Sequence, residues 1–147
     1  MLSHAWAFPP SGGRAIMNRK IYLIALILIS LLAMGCTSRV TKATEKGLFN
    51  VDILSKGDVK EGRNVVDLRI RDSGGRPLEG AEIEVTPWMP EMGHGVPYVP
   101  KVTEKGGGLY NVVFHFIMGG LWELRITIKK GDAEDNVVFE FPDVKEK

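Results

Sequence analysis

Cysteine is nearly absent from this chain: Cys36 is the only one in 147 residues, so no intrachain disulfide can staple the fold. Runs of Lys and Arg are missing after Cys36. Arg14, Arg19 and Lys20 all precede it, which leaves 16 basic against 18 acidic residues, a net charge of −2. Nucleic acid is thereby excluded as a partner, because binding it rests on neutralised phosphates. No amphipathic pattern longer than two helical turns follows Cys36, which excludes a helical domain.

Catalytic constellations are missing too. There is no Gly-x-Ser-x-Gly elbow, no phosphate-binding Gly-Lys-Ser/Thr loop and no His-Glu-x-x-His pair. His115 alternates with Phe114 and Phe116 and has no orienting partner in the pattern. Glu82 and Glu84 share a face, as carboxylates on a wet strand commonly do. The expectation is a protein that is not an enzyme.

The N-terminal quarter reads as an address. Asn18-Arg19-Lys20 precedes an apolar stretch from Ile21 to Ile29, then Ser30 and Leu31-Leu32-Ala33-Met34-Gly35-Cys36. A short basic region, an apolar segment of about 14 residues and a small residue before the cut describe a secretory signal. As a helix, Ile21–Gly35 would span about 22 Å at 1.5 Å per residue, short of the roughly 30 Å hydrocarbon core. The segment resembles a bacterial lipobox, in which Cys36 becomes the lipidated first residue. Acyl chains contribute about 0.8 kcal/mol per buried CH₂, so several on one cysteine anchor firmly. Thr37, rather than Asp, after the cysteine points to the periplasmic side of an outer membrane. In a cell without one, the anchor is expected on the outer face of the plasma membrane. Residues 1–16 push the basic region unusually far from the start, and Met17 reads as the true start of a signal segment ending at residue 35.

Residues 37–47 are polar and aperiodic and read as a tether from Cys36 to the domain. Alternation begins beyond them. Phe49, Val51 and Ile53 form one face; Val66, Leu68 and Ile70 another; Ala81, Ile83 and Val85 a third. Tyr110, Val112, Phe114 and Phe116 follow, then Trp122, Leu124, Ile126 and Ile128, then Val137, Phe139 and Phe141. Period-two runs separated by Gly- and Asp-rich turns are antiparallel strands with one face buried. The expectation is an all-β domain over residues 48–142: an immunoglobulin-like antiparallel sandwich of six to seven strands, preceded by the signal helix. Residues 143–147 read as a polar tail.

One stretch departs from alternation. Residues 87–100 hold four prolines and two glycines and read as a long loop. It carries Trp88, Met89, Met92 and His94, costly residues for a connector, and loops on rigid scaffolds are where function concentrates. Thioether sulfur is a soft donor that selects Cu(I), and imidazole accepts copper in either oxidation state. Met118, beside the Gly119-Gly120 turn, is a fourth donor that could meet the loop at one end of the sandwich. Zinc would lack a cysteine ligand, and calcium would find only Glu91. Without metal, the methionines read as gap-fillers over an open core edge, and Trp88 as a contact for a membrane-protein partner.

Gly75-Arg76-Pro77-Leu78-Glu79-Gly80-Ala81-Glu82-Ile83, Met89-Pro90-Glu91-Met92-Gly93-His94-Gly95, Gly108-Leu109-Tyr110 and Met118-Gly119-Gly120-Leu121-Trp122 together resemble the YtkA-like domain family, and more distantly FixH-like proteins. The resemblance covers about residues 47–142. It implies a small immunoglobulin-like sandwich outside the cytoplasm, in some members associated with copper handling or with assembly of copper-containing respiratory enzymes. By position it implies Met89, Met92, His94 and Met118 as the metal residues.

Overall fold

The computed structural model describes residues 38–55 and 57–146. The expected signal segment and the expected lipidation of Cys36 lie outside the described residues. All described residues belong to one unit, Cys36–Lys147, and among them no helix is long and apolar enough to cross a membrane.

Nine strands follow one another: β1 (Ser38–Ala43), β2 (Phe49–Ser55), β3 (Gly62–Asp72), β4 (Glu82–Met89), β5 (His94–Gly95), β6 (Lys101–Gly106), β7 (Leu109–Phe116), β8 (Gly120–Lys130) and β9 (Ala133–Val144). They form two antiparallel sheets, ordered β1-β2-β3-β7-β6 and β5-β4-β8-β9. The six alternating runs of the sequence are β2, β3, β4, β7, β8 and β9, and their alternate residues face inward as the period requires. Val51, Leu68, Ile70, Val112 and Phe116 of the first sheet and Trp122, Leu124 and Ile128 of the second are fully buried. Phe116 stacks on Trp122 at 4.8 Å between ring centroids and meets Phe114 edge-on at 5.1 Å, the offset and T-shaped contacts that aromatic quadrupoles favour.

The count of nine exceeds the expected six to seven because β1, β5 and β6 carry no hydrophobic alternation. Residues 38–43, read as tether, pair with β2 from Ser38↔Ser55 to Ala43↔Asn50. The five residues from Arg39 to Ala43 are exposed, so ladder hydrogen bonds and polar contacts, not apolar burial, hold the strand. The fully buried Asp52 accepts from Thr41 Oγ1 at 2.7 Å, from Arg39 at 2.7 Å and from Arg71 at 3.0 Å. The C-terminal boundary also moves outward. β9 runs to Val144, which is buried and pairs with Gly120, and Lys145 bridges Lys60. Asp143, Val144 and Lys145 thus pair within the sandwich.

Two long-range ties close one end. Tyr110, buried by its surroundings and so raised in pKa, donates its hydroxyl to the Leu78 carbonyl at 2.9 Å and accepts from the Ala81 N–H at 3.2 Å. Gly108, at φ +72°, passes so close to the β3 backbone that a Cβ would lie 2.5 Å from the Ile70 carbonyl oxygen. Only glycine fits there.

Beside the β1–β2 turn Asp135 is wholly buried and accepts backbone N–H groups from Lys46, Leu48 and Asn136 at 2.8–3.2 Å. Burial alone would raise its pKa. The Thr44 hydroxyl and those three amides outweigh burial and hold the carboxyl at about 2, below its ordinary 3.8. A depressed carboxylate stabilises the fold fully above pH 3.8 and loses that contribution as pH falls through about 2. Asp135→Asn is expected to cost about 1–3 kcal/mol at neutral pH. In denaturant melts across pH, its gap from wild type should narrow below pH 3.8; a gap that stays constant would contradict this assignment.

Candidate functional site

The site begins with a proline inside a strand. Pro87 sits in β4 opposite Leu124 of β8. Lacking an N–H, it can occupy only a position whose backbone turns away from the neighbouring strand. Two contacts agree. A Cβ on Gly95 would lie 2.9 Å from the Pro87 carbonyl oxygen, and the Met89 carbonyl accepts from Met92 N–H at 3.2 Å and Gly93 N–H at 3.0 Å. The odd-numbered residues of β4 therefore direct their backbone polar groups away from β8 and their side chains into the core. This corrects the expected loop over 87–100: Pro87, Trp88 and Met89 continue β4, and the turn occupies residues 90–93.

The same parity decides the fate of each candidate donor. Met89 continues the inward row of Val85 and Pro87 and is only 5% exposed. Its Cε lies 3.1 Å from where a Cβ of Gly120 would be, so the β7–β8 turn has glycine where the methionine nests. Beyond Met89 the chain reverses through Gly93, at φ +68°, and returns as β5, with His94 directly across from Met89. His94 is exposed, and its Nδ1 lies 2.9 Å from the Gly95 carbonyl oxygen. With Nδ1 engaged there, Nε2 is the ring nitrogen left without a hydrogen bond among the described residues. Met92, in the turn, is 57% exposed. Met118 is 41% exposed and held by its own carbonyl, which accepts the Trp122 Nε1–H at 3.0 Å.

The β4–β5 hairpin and the β7–β8 turn thus bring Met89, Met92, His94 and Met118 to one end of the sandwich. Met92, His94 and Met118 open to solvent, while Met89 belongs to the core beneath them. Among the described residues, no group of three or more His, Cys, Asp and Glu could hold a metal ion. The soft donors at this end are the Met92 and Met118 thioethers, beside the His94 imidazole, and Glu91 shares the turn that carries Met92.

Trp88 falls on the other face. It is half-buried on the outer side of β4, with the Arg125 guanidinium 4.5 Å from its ring centroid and Arg125 paired with Glu123 at 2.8 Å. A cation–π contact of this kind occupies the ring face that a partner would otherwise cover. Tyr98, which the sequence did not single out, rests on His115 at 5.1 Å between centroids. Tyr98 and its neighbour Val99 are 57% and 93% exposed. No alternation flags them, because they lie on an irregular crossing between the sheets.

This arrangement is a two-sheet β-sandwich with a sulfur- and imidazole-bearing rim. The chain belongs to the YtkA-like family, whose model matches residues 44–127, a span holding every donor at this end. Among solved structures it is similar to a DUF4426 family protein from Pseudomonas aeruginosa PAO1. The two are 13% identical over 74% of this chain and 96% of that one, with a TM-score of 0.53, a likeness of fold alone. No curated protein matches the chain.

Burial separates the methionines by experiment. Met89→Ala opens a cavity beside Gly120 and is expected to cost about 2–5 kcal/mol, whereas Met92→Ala should stay within about 0.5 kcal/mol of wild type. Equal costs in chemical denaturation would refute this placement.

Proposed function

We propose that this protein is a lipid-anchored module of the cell envelope that takes up and hands on Cu(I) at the β4–β5 end. The observation that carries the reading is that two solvent-open thioethers, Met92 and Met118, lie at the same end of the sandwich as an imidazole whose Nδ1 is already engaged. These donors fit Cu(I) in kind: thioethers are soft and neutral, and Nε2 of a neutral imidazole is a ready ligand. Met92, His94 and Met118 would hold the ion, with the buried Met89 fixing the turn that carries them. Copper here is cargo rather than a resident cofactor, consistent with exposed donors on a rim. The role would be copper handling or assembly of a copper-containing respiratory enzyme, as the family resemblance suggests. Cys36 would carry the lipid, leaving the domain outside the cytoplasm, on the periplasmic side of an outer membrane where one exists. The strand order β2-β3-β7-β6 against β5-β4-β8-β9 also supports an immunoglobulin-like topology, by analogy with ABED against C′CFG.

A second reading, a metal-free module that docks on a membrane protein, is favoured by the exposed apolar side chains of Met92, Tyr98, Val99 and Met118. Trp88 would add only its edge to such a contact, since Arg125 covers its face.

Titration of residues 37–147 with Cu(I) against a competing chelator separates the readings. One ion per chain is expected, with affinity lowered more than about tenfold in Met92→Ala/His94→Ala/Met118→Ala, a loss above about 1.4 kcal/mol. No uptake, or uptake indifferent to the three substitutions, would leave the docking module. For the anchor, the Cys36→Ser form of the full chain should lose its partition into detergent; unchanged partition would contradict lipidation there.

A further inference from the structure

β4 is an edge strand over most of its length. β5 pairs with it only at Trp88 and Met89, and the orientation fixed by Pro87 turns the N–H and C=O groups of Ile83 and Val85 to the open side. Neither residue has a hydrogen-bond partner on that side among the described residues. The open stretch has defined ends: the Ala81 N–H is taken by the Tyr110 hydroxyl, and Gly95 abuts the Pro87 carbonyl. Beside it runs a groove of about 480 Å³, whose far wall is Val96, Tyr98, Val99, Pro100 and Val102. On the outer face of the same edge stand Glu82 and Glu84, both exposed and without an ion pair or hydrogen bond among the described residues. Lys129, opposite Glu82, lies 3.9 Å from Glu134 instead.

We propose that this edge receives an extended, cationic segment of another polypeptide by strand addition. The unpaired amides and carbonyls of Ile83 and Val85 would form the ladder. Side chains directly opposite Glu82 and Glu84 would be Lys or Arg, and the residue between them would turn inward over Val96 and Val102. Opposite charges facing across strands are favourable and like charges are not, which argues against a second copy of this chain. An antiparallel pair of β4 edges using Ile83 and Val85 sets Glu84 against Glu84 or Glu82 against Glu84. The remaining register, Val85 on Val85, sets Ile83 against Pro87, which has no N–H to give. The carboxylates therefore repel self-pairing, a common protection of exposed edges, while leaving the edge open to a basic strand. This inference stands apart from copper binding, since none of its residues is a proposed ligand.

The test uses residues 37–147, within which the whole core lies, and a short alternating Lys–Val peptide as the probe, read by amide hydrogen exchange. In the free protein, Ile83 and Val85 amides should exchange faster than those of Ile126 and Ile128 in β8. Saturating peptide should slow Ile83 and Val85 about tenfold, and N-methylation of the peptide's ladder-facing amides should abolish the effect. Glu82→Lys/Glu84→Lys, two exposed substitutions outside the core, should transfer the preference to an alternating Glu–Val peptide. The proposal is overturned if Ile83 and Val85 are already as protected as β8 in the free protein. It is also overturned if their protection rises with protein concentration alone, which would mean self-pairing, or if the charge reversal leaves peptide preference unchanged.

Discussion

A single missing hydrogen organises one end of this molecule. Pro87 cannot donate to β8, so β4 must present its odd-numbered backbone groups to the other side. That requirement fixes which side chains of β4 enter the core, and the rest follows from parity. Met89 goes inward against Gly120, His94 returns opposite it on β5, and Trp88 goes outward beneath Arg125. The same requirement leaves the outward amides of Ile83 and Val85 facing a groove. The proline thus sets the hairpin, the donor-bearing rim and the open edge.

The scaffold that carries this end is stiff for ordinary reasons. Two inner faces of alternating apolar residues interdigitate, and Trp122 and Phe116 stack between them with the indole N–H satisfied by the Met118 carbonyl. That hydrogen bond ties the core aromatic to the turn bearing an exposed thioether, so Met118 is held by the interior although its side chain is outside. Met89 does the same for the β4–β5 turn: its carbonyl anchors Met92 and Gly93 while its side chain is buried. The accessible donors are therefore on short, tethered turns rather than on a long mobile loop, which would lower the ordering cost of the proposed ion binding.

Strands with a buried face were legible in the sequence, because period-two burial writes itself into residue order. β1 and β6 were not. Arg39 to Lys42 and Lys101 to Lys105 place at most one side chain against the core, and ladder hydrogen bonds leave no mark on composition. The four candidate donors were legible as residue types, but their division into three open and one buried was not read, although Ile83, Val85, Pro87 and Met89 continue one alternating row. Four prolines in fourteen residues mask that row in the sequence, whereas the ladder position of Pro87 alone decides it. The open edge of β4 was out of reach, since Glu82 and Glu84 acquire meaning only once the strand beside them is known to be absent.

On the proposed function, Met92, His94 and Met118 act as one donor set at a common point. Following the methionine methyl and histidine ring resonances of the protein through a Cu(I) titration tests it most directly. The expected result is that the Met92 and Met118 methyls and the His94 ring move along one shared binding curve. Signals that move independently, or a curve that involves none of the three, would contradict it.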